Sequence, residues 1–204
     1  MASRTRKPHR QPPRPNRHGT DAKVHFRPLD WFRSRSPVIK FVSLFVCLLA
    51  GYYILTQLPF FKSHIFPFVI QVNAWLSSLV LNVLGQGTHV EGSIIASEVF
   101  AVDIKRGCDA LEPIAFFSIG VLTYPSSLRT KIPGILAGAG VLFALNIVRI
   151  VSLFLVGKHS QAAFEFLHVD VWQVLFILGA IVLWVLWIIW AAGKAPVPAP
   201  APAS

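Results

Sequence analysis

Cys108 is the side chain in this sequence best suited to nucleophilic chemistry. It lies in the segment IKRGCDALEP, residues 104–113, where charged residues surround a thiol just before a long apolar run. The other cysteine, Cys47, lies among apolar residues, as a small hydrophobic side chain does. Cysteine reacts as its thiolate, and a nearby arginine, histidinium or helix amino terminus lowers the pKa of the thiol. Asp109 and Glu112 resemble a capping pair, so the sequence predicts a helix beginning beside Cys108.

Arg149 is the second residue that indicates a site. It lies within the apolar run FALNIVRIVSLF, where a charge costs a few kcal/mol or more. Such residues usually face the interior of a helix bundle, and the alternative is snorkelling to the lipid headgroups. Asn146, three residues earlier on the same helix face, is placed to hold the guanidinium.

His168 begins the last apolar run and is a candidate base. Taken alone, it is equally suited to cap a helix at the membrane interface, and His159 competes for the catalytic role. Glu165 or Asp170 is placed to orient its ring. Together, the three residue types fit a thiolate that attacks, an imidazole that accepts and then donates a proton, and a guanidinium that stabilises an oxyanion.

Metal binding is the main competing chemistry. One cysteine outside the predicted spans and scattered histidines do not supply the ligand cluster that zinc requires. The segment GILAGAG at 134–140 is typical of helix packing within a span rather than of a nucleotide-binding loop. The sequence therefore predicts neither a metal nor a cofactor.

The elements that position these residues belong to a membrane protein. Of 204 residues, 54% are hydrophobic and 14% charged, whereas soluble domains carry about a quarter charged residues. Because a span needs about 20 apolar residues, the sequence predicts an all-α polytopic membrane protein with about four transmembrane helices. These lie at 38–58, 109–125, 132–157 and 168–192.

Two further segments differ from the spans. Residues 65–84 have apolar residues at helical spacing and a second face with Gln71, Ser78 and Asn82, which predicts an amphipathic helix that lies in the interface, re-enters or crosses the membrane. Residues 86–107 alternate with a period of two, which predicts a small β-hairpin outside the lipid.

The basic residues predict the orientation. Eleven of the 19 Lys and Arg residues lie in the first 40 positions, and basic residues beside a first span hold that end in the cytoplasm. Residues 1–37 are therefore predicted to form a disordered cytoplasmic arm, and the absence of aromatic residues from its segment RKPHRQPPRPNRHG argues against nucleic-acid binding. The basic loop at 126–131 is also cytoplasmic, and a Pro/Ala-rich tail at 193–204 follows the membrane domain at 38–192.

This topology brings the candidate residues together. In it, 38–58 is a retained anchor in the cytoplasmic membrane and 65–84 makes no net crossing. Cys108 and His168 then both lie at the outer starts of spans. Arg149 is eight residues before Gly157, about 12 Å below the outer end at about 1.5 Å per residue.

The same segments resemble a known family. A hairpin leading into CDALEP, then NIVRIVSL late in the next long span, then a histidine at the start of another span is similar to the exosortase/archaeosortase family over roughly residues 65–190. The Asn-x-x-Arg-Ile element, Asn146 to Ile150, is among the most specific parts. The short chain resembles the short forms, such as exosortase H. Many members have Cys-Ser-Gly or Cys-Thr-Gly where this chain has Cys108-Asp109-Ala110, a departure that bears on the subfamily.

The resemblance implies a cysteine membrane peptidase or transpeptidase acting at the outer face of the cytoplasmic membrane. Its partners, besides membrane lipids, are exported proteins whose carboxy-terminal sorting signal combines a short motif, a transmembrane helix and a basic cluster. The reaction ends on an acceptor nucleophile or on water. The catalytic residues would be Cys108, Arg149 and His168. Their positions in the sequence, rather than the resemblance, make Asn146, Arg106 and Glu165 candidate supporting residues.

Two other functions stay open at the level of sequence. One is a non-enzymatic membrane assembly factor or channel-like subunit, in which Arg149 is a structural or pore charge. The other is a thiol-redox protein, which is disfavoured because the outer face offers Cys108 no second cysteine. Replacing Cys108 separates an enzyme from a scaffold.

Overall fold

The computed structural model describes residues 37–194, so the predicted arm and tail lie almost wholly outside the described residues. Within this range are six α-helices and one three-stranded antiparallel sheet. The helices are α1 Pro37–Gln57, α2 Phe66–Val83, α3 Leu111–Thr123, α4 Leu128–Gly157, α5 Gln161–Phe166 and α6 Trp172–Ala192. Strands β1 His89–Glu91, β2 Ile94–Ala96 and β3 Ala101–Asp103 lie between α2 and α3, and π-helical turns at Phe61–Ile65 and Leu167–Val171 precede α2 and α6.

Four helical stretches are long and apolar enough to cross a membrane, which confirms the polytopic all-α prediction. They are Pro37–Gln57, Phe61–Val83, Leu128–Gly157 and Gln161–Ala192. The stretch at 61–83 overlaps the segment 65–84, which was predicted to be an amphipathic helix making no net crossing. By contrast α3, predicted to span at 109–125, has 13 helical residues, and at about 1.5 Å per residue it covers only about 20 Å of a core of about 30 Å.

The helix α2 buries polar residues and exposes apolar ones, which is the reverse of a surface helix in a soluble protein. Its polar residues Asn73, Ser77 and Ser78 are buried against the protein, while Phe68 and Trp75 are exposed. A surrounding lipid phase explains this arrangement, since hydrocarbon accepts apolar side chains whereas amides and hydroxyls need internal partners. Of the polar face predicted from sequence, only Ser78 is buried, whereas Gln71 and Asn82 are exposed.

The sheet has one strand more than the predicted hairpin. Strand β2 pairs antiparallel with both β1 and β3. The period-two pattern is confirmed, because Val102 and Ile104 pack inward with Phe100 while Asp103 is exposed. The ring of Phe100 meets that of Phe154 of α4 edge-on, with centroids 5.5 Å apart. The sheet is thereby attached to the carboxyl-terminal end of α4.

Close helix packing below the sheet depends on glycine. Gly138 of α4 is buried where α4 meets α3, and a Cβ added there would overlap the ring of Phe117. A Cβ added at Gly140, two residues further along the same helix, would meet no other atom within 4 Å. The small-residue segment at 134–140 therefore packs helices, as the sequence predicted.

We expect Gly138→Ala to destabilise the protein by about 1–3 kcal/mol, because the added methyl forces α3 and α4 apart. Gly140→Ala is the matched control and should leave the thermal midpoint in detergent unchanged or slightly raised. Equal midpoints for the two variants would contradict the close contact between Gly138 and Phe117.

Candidate active site

The segment that carries Cys108 is a tight turn leading into α3. Gly107 and Ala110 both have left-handed backbone conformations, with φ of 88° and 66°. Asp109 accepts a hydrogen bond on Oδ1 from the Leu111 amide at 3.0 Å, but the N-cap of α3 is Ala110, which has no side-chain capping bond, rather than the predicted pair of Asp109 and Glu112. Ala110 occupies the position at which the similar motif has glycine, the residue that adopts this conformation without strain.

His168 lies beside Cys108, although 60 positions separate them in the chain. Its Nε2 is 3.8 Å from the Cys108 Sγ, a distance that catalytic pairs often show before substrate tightens them. The imidazole belongs to the π-helical turn Leu167–Val171, and π-turns inside helices frequently occur at functional sites. The ring stacks on Phe164 with an interplanar angle of 13°. This aromatic neighbour was missed from sequence, since four-residue spacing on a helix is its only signal.

Arg149 completes the group from the interior of the bundle. Its Nη2 lies 3.4 Å from the His168 Nδ1 and donates to the His168 carbonyl, also at 3.4 Å. The side chain is 7% exposed and its guanidinium lies 5.5 Å from the centre of the Phe176 ring. Its buried Nε has no hydrogen-bond partner. Arg149 therefore faces the protein rather than snorkelling to the headgroups, and it presents an N–H with no acceptor.

Burial decides the protonation of the thiol. It raises the pKa of Cys108 above the ordinary value, the Arg149 guanidinium lowers it, and the neighbouring Asp109 raises it. From sequence, a lowered pKa was expected. The net shift is upward because desolvation of the thiolate outweighs the guanidinium. Such a thiol needs a base when it attacks.

Asp109 is the second perturbed group of the turn. Burial raises the pKa of its carboxyl, and the backbone amides of Leu111, Asp109 and Gly107, with the Arg106 charge, oppose that rise. The side chain is 2% exposed, and its Oδ2 has no hydrogen-bond partner. The carboxyl group is thus built into the turn rather than directed at solvent.

The predicted supporting residues have other partners than expected. Asn146 donates to the Cys108 carbonyl at 2.8 Å and does not hold the guanidinium of Arg149. Glu165 is exposed and accepts a hydrogen bond from Gln161 at 3.2 Å. It was expected to orient the ring of His168, but that ring contacts Arg149 instead. Arg106 lies 4.4 Å from the centre of the Phe66 ring.

The side chains near the thiol do not form a metal site within the described part of the chain. Among residues 37–194, no three His, Cys, Asp or Glu side chains come together as ligands would.

Comparison with known proteins identifies the family. A family model for transmembrane exosortases matches residues 33–195. The chain belongs to the transmembrane exosortase family. The resemblance seen in the sequence is thus confirmed, and exosortases are in general membrane transpeptidases that sort proteins. No curated protein and no solved structure matches the chain.

Proposed function

We propose that this exosortase cleaves the carboxy-terminal sorting signal of exported proteins with Cys108 as nucleophile, His168 as proton carrier and Arg149 as oxyanion stabiliser. One observation carries the proposal: the Cys108 Sγ is 3.8 Å from one ring nitrogen of His168, and the Arg149 guanidinium is 3.4 Å from the other. The three residues come from three separate segments of the chain. Their side chains supply the three functions that acyl transfer requires.

The first half-reaction makes a thioester. The Cys108 thiol gives its proton to His168 Nε2, and the thiolate attacks the carbonyl carbon of the scissile peptide bond. The negative charge that develops on the carbonyl oxygen falls to the Arg149 guanidinium, whose Nη2 lies 3.4 Å from the ring of His168. Collapse of the intermediate breaks the C–N bond, and the leaving amine takes the proton from His168. The cleaved tail departs with a free amine.

Arg149 also sets the order of these events. A guanidinium only donates hydrogen bonds, so its contact with Nδ1 leaves the ring proton of His168 on Nε2, facing sulfur. Nε2 accepts the thiol proton only after the ring proton has moved to Nδ1 by exchange with solvent and Arg149 has left that atom. The substrate carbonyl oxygen is an acceptor that draws the guanidinium away. Binding and activation of the thiol are coupled in this way.

The second half-reaction releases the protein. An acceptor amine or hydroxyl attacks the thioester carbon and gives its proton to His168. The Cys108 thiolate then leaves and recovers that proton. Attack by water would give simple cleavage, and attack by an acceptor molecule would anchor the exported protein. The same three side chains serve both outcomes.

The proposed site faces the outside of the cytoplasmic membrane. Cys108, the sheet and His168 lie around the carboxyl-terminal half of α4, whereas the basic residues Arg129 and Lys131 lie at its amino-terminal end. Positive residues favour the cytoplasmic side. Both ends of α2 contact the segment that leads into the nucleophile. Phe66 at its start contacts Arg106, and Ser78 near its end contacts Thr88 before the sheet. This orientation therefore requires no net crossing by α2.

Labelling of Cys108 in intact cells tests the location and the nucleophile together. In a Cys47→Ser background, a membrane-impermeant maleimide should modify Cys108 from outside. The labelling rate should rise with pH through a midpoint above that of an ordinary thiol, because burial raises the pKa of Cys108. Arg149→Ala should move the midpoint further up, since the guanidinium lowers that pKa.

The control is the Cys47→Ser, Cys108→Ser variant, which should take up no label. Modification only after the membrane has been opened would place Cys108 on the cytoplasmic side and overturn the proposed orientation. A midpoint that falls in Arg149→Ala would contradict the electrostatic role of Arg149.

A further inference from the structure

Asn73 is a fully buried amide beneath the nucleophile segment, and nothing in the sequence assigned it a role. It lies in the middle of α2 and is 0% exposed. Its Nδ2 donates to the Val69 carbonyl at 2.9 Å and to the Asp109 carbonyl at 3.4 Å. Its Oδ1 accepts from Asn146 Nδ2 at 2.9 Å.

Asn146 extends the same network by one bond. Its other N–H donates to the Cys108 carbonyl at 2.8 Å. All four N–H groups of the two amides therefore have acceptors, and the consecutive carbonyls of Cys108 and Asp109 each receive one of them. Buried amide groups without partners are costly, so the four donated bonds favour this arrangement, although the Asn146 Oδ1 has no partner.

The turn that these amides hold is one that needs support. Ala110 has a φ of 66°, a left-handed conformation that costs a residue with a Cβ about 1–2 kcal/mol. Strained backbone of this kind persists where the surrounding structure determines it. The Cys108 amide is also held, by the Lys105 carbonyl at 3.0 Å. The turn is thus supported by local bonds to the Cys108 amide and the Asp109 side chain and by the two buried amides.

We propose that Asn73 is a positioning residue for the nucleophile. It holds the Asp109 carbonyl directly and the Cys108 carbonyl through Asn146, so that the strained turn keeps the Cys108 Sγ directed at His168. Asn73 itself does not touch the substrate. The inference rests on the proposed function, since it assigns a role to Asn73 in the reaction of Cys108.

The test compares three variants on a purified reporter that carries the sorting signal of an exported protein from the same organism. Asn73→Leu has a similar volume and lacks every hydrogen bond of the amide. Asn73→Gln keeps the amide but displaces it by one methylene. Ser77→Ala is the matched control, because Ser77 lies one turn further along α2, is 0% exposed and has a hydroxyl without a hydrogen-bond partner.

We expect Asn73→Leu to lower kcat about 10- to 100-fold at nearly unchanged KM, because misplacement of a reacting group by about 1 Å has effects of this size. The kcat of Asn73→Gln should lie between those of Asn73→Leu and the parent protein, and Ser77→Ala should retain the parent kcat. Thermal midpoints in detergent, measured on each variant, identify any loss that follows unfolding. If Asn73→Leu does not accumulate as folded protein, the kcat of Asn73→Gln tests the positioning role instead.

Two results would overturn the positioning role: an unchanged kcat in the folded Asn73 variants, or a loss that lies wholly in KM. Cys108→Ala is assayed alongside. An active Cys108→Ala variant would overturn the proposed function itself. An inactive one, together with Asn73 variants that match Ser77→Ala, would overturn only the role of Asn73.

Discussion

Cys108→Ala should abolish processing of exported proteins, with a loss of about 10⁴-fold or more, because no other group in the site can form the thioester. The measurement is the shift in size of a reporter carrying a carboxy-terminal sorting signal, followed in cells in which this chain is the only exosortase supplied. Uncleaved reporter should accumulate in the membrane. The change removes a small half-buried side chain, so the variant should be present at the parent level.

Cys47→Ala is the matched control for this experiment. Cys47 is exposed on α1, the first helix of the described residues, and its replacement should leave processing unchanged. Normal processing by Cys108→Ala would refute the cysteine mechanism and favour a non-enzymatic assembly or channel-like function. Loss of processing in both variants would indicate a general effect of removing thiols rather than nucleophilic catalysis.

Arg149→Ala should lower kcat by about 10²- to 10³-fold, the effect typical of removing one group that stabilises an oxyanion. The variant loses the guanidinium and its contacts with the ring nitrogen and the carbonyl of His168. Arg149→Lys should recover only part of the rate, because an ammonium cannot reproduce the planar array of N–H donors. The measurement is single-turnover cleavage of the purified reporter, which separates chemistry from product release.

Arg129→Ala controls for the loss of a positive charge from the same helix. Arg129 is exposed at the beginning of α4, far from the thiol, and its variant should cleave the reporter at the parent rate. A full rate in Arg149→Ala would mean that the guanidinium is a structural charge. In that case the thermal midpoint of the variant should fall even though its activity persists.

Membrane class, the approximate helices and the family were determined by the sequence alone. Three spans coincide with helical stretches of the structure, and the nucleophile segment, Arg149 and His168 were brought together by counting residues along helices. This worked because hydropathy and helical rise are properties of consecutive residues. Arg149 and the charged segment around Cys108 could also be recognised in the sequence, because each interrupts a run of apolar residues.

The partners of the supporting residues required the tertiary structure. Asn146 and Arg149 share a helix face, which favoured a contact between them, yet Asn146 bonds the Cys108 carbonyl and Arg149 contacts His168. Glu165 was within reach of His168 in sequence, but the π-turn places the ring against Arg149. Local spacing shows which side chains share a face, and it does not show what another element brings to that face.

The tertiary structure also decided which side of α2 is buried and how the thiol titrates. In lipid, the polar face of an amphipathic helix packs inward, so the periodicity of 65–84 alone left both orientations open. The pKa of Cys108 depends on a balance between burial and a guanidinium from another helix. Chain order determined where the reactive residues lie along their helices, whereas their protonation and support depend on desolvation and packing between segments far apart in the chain.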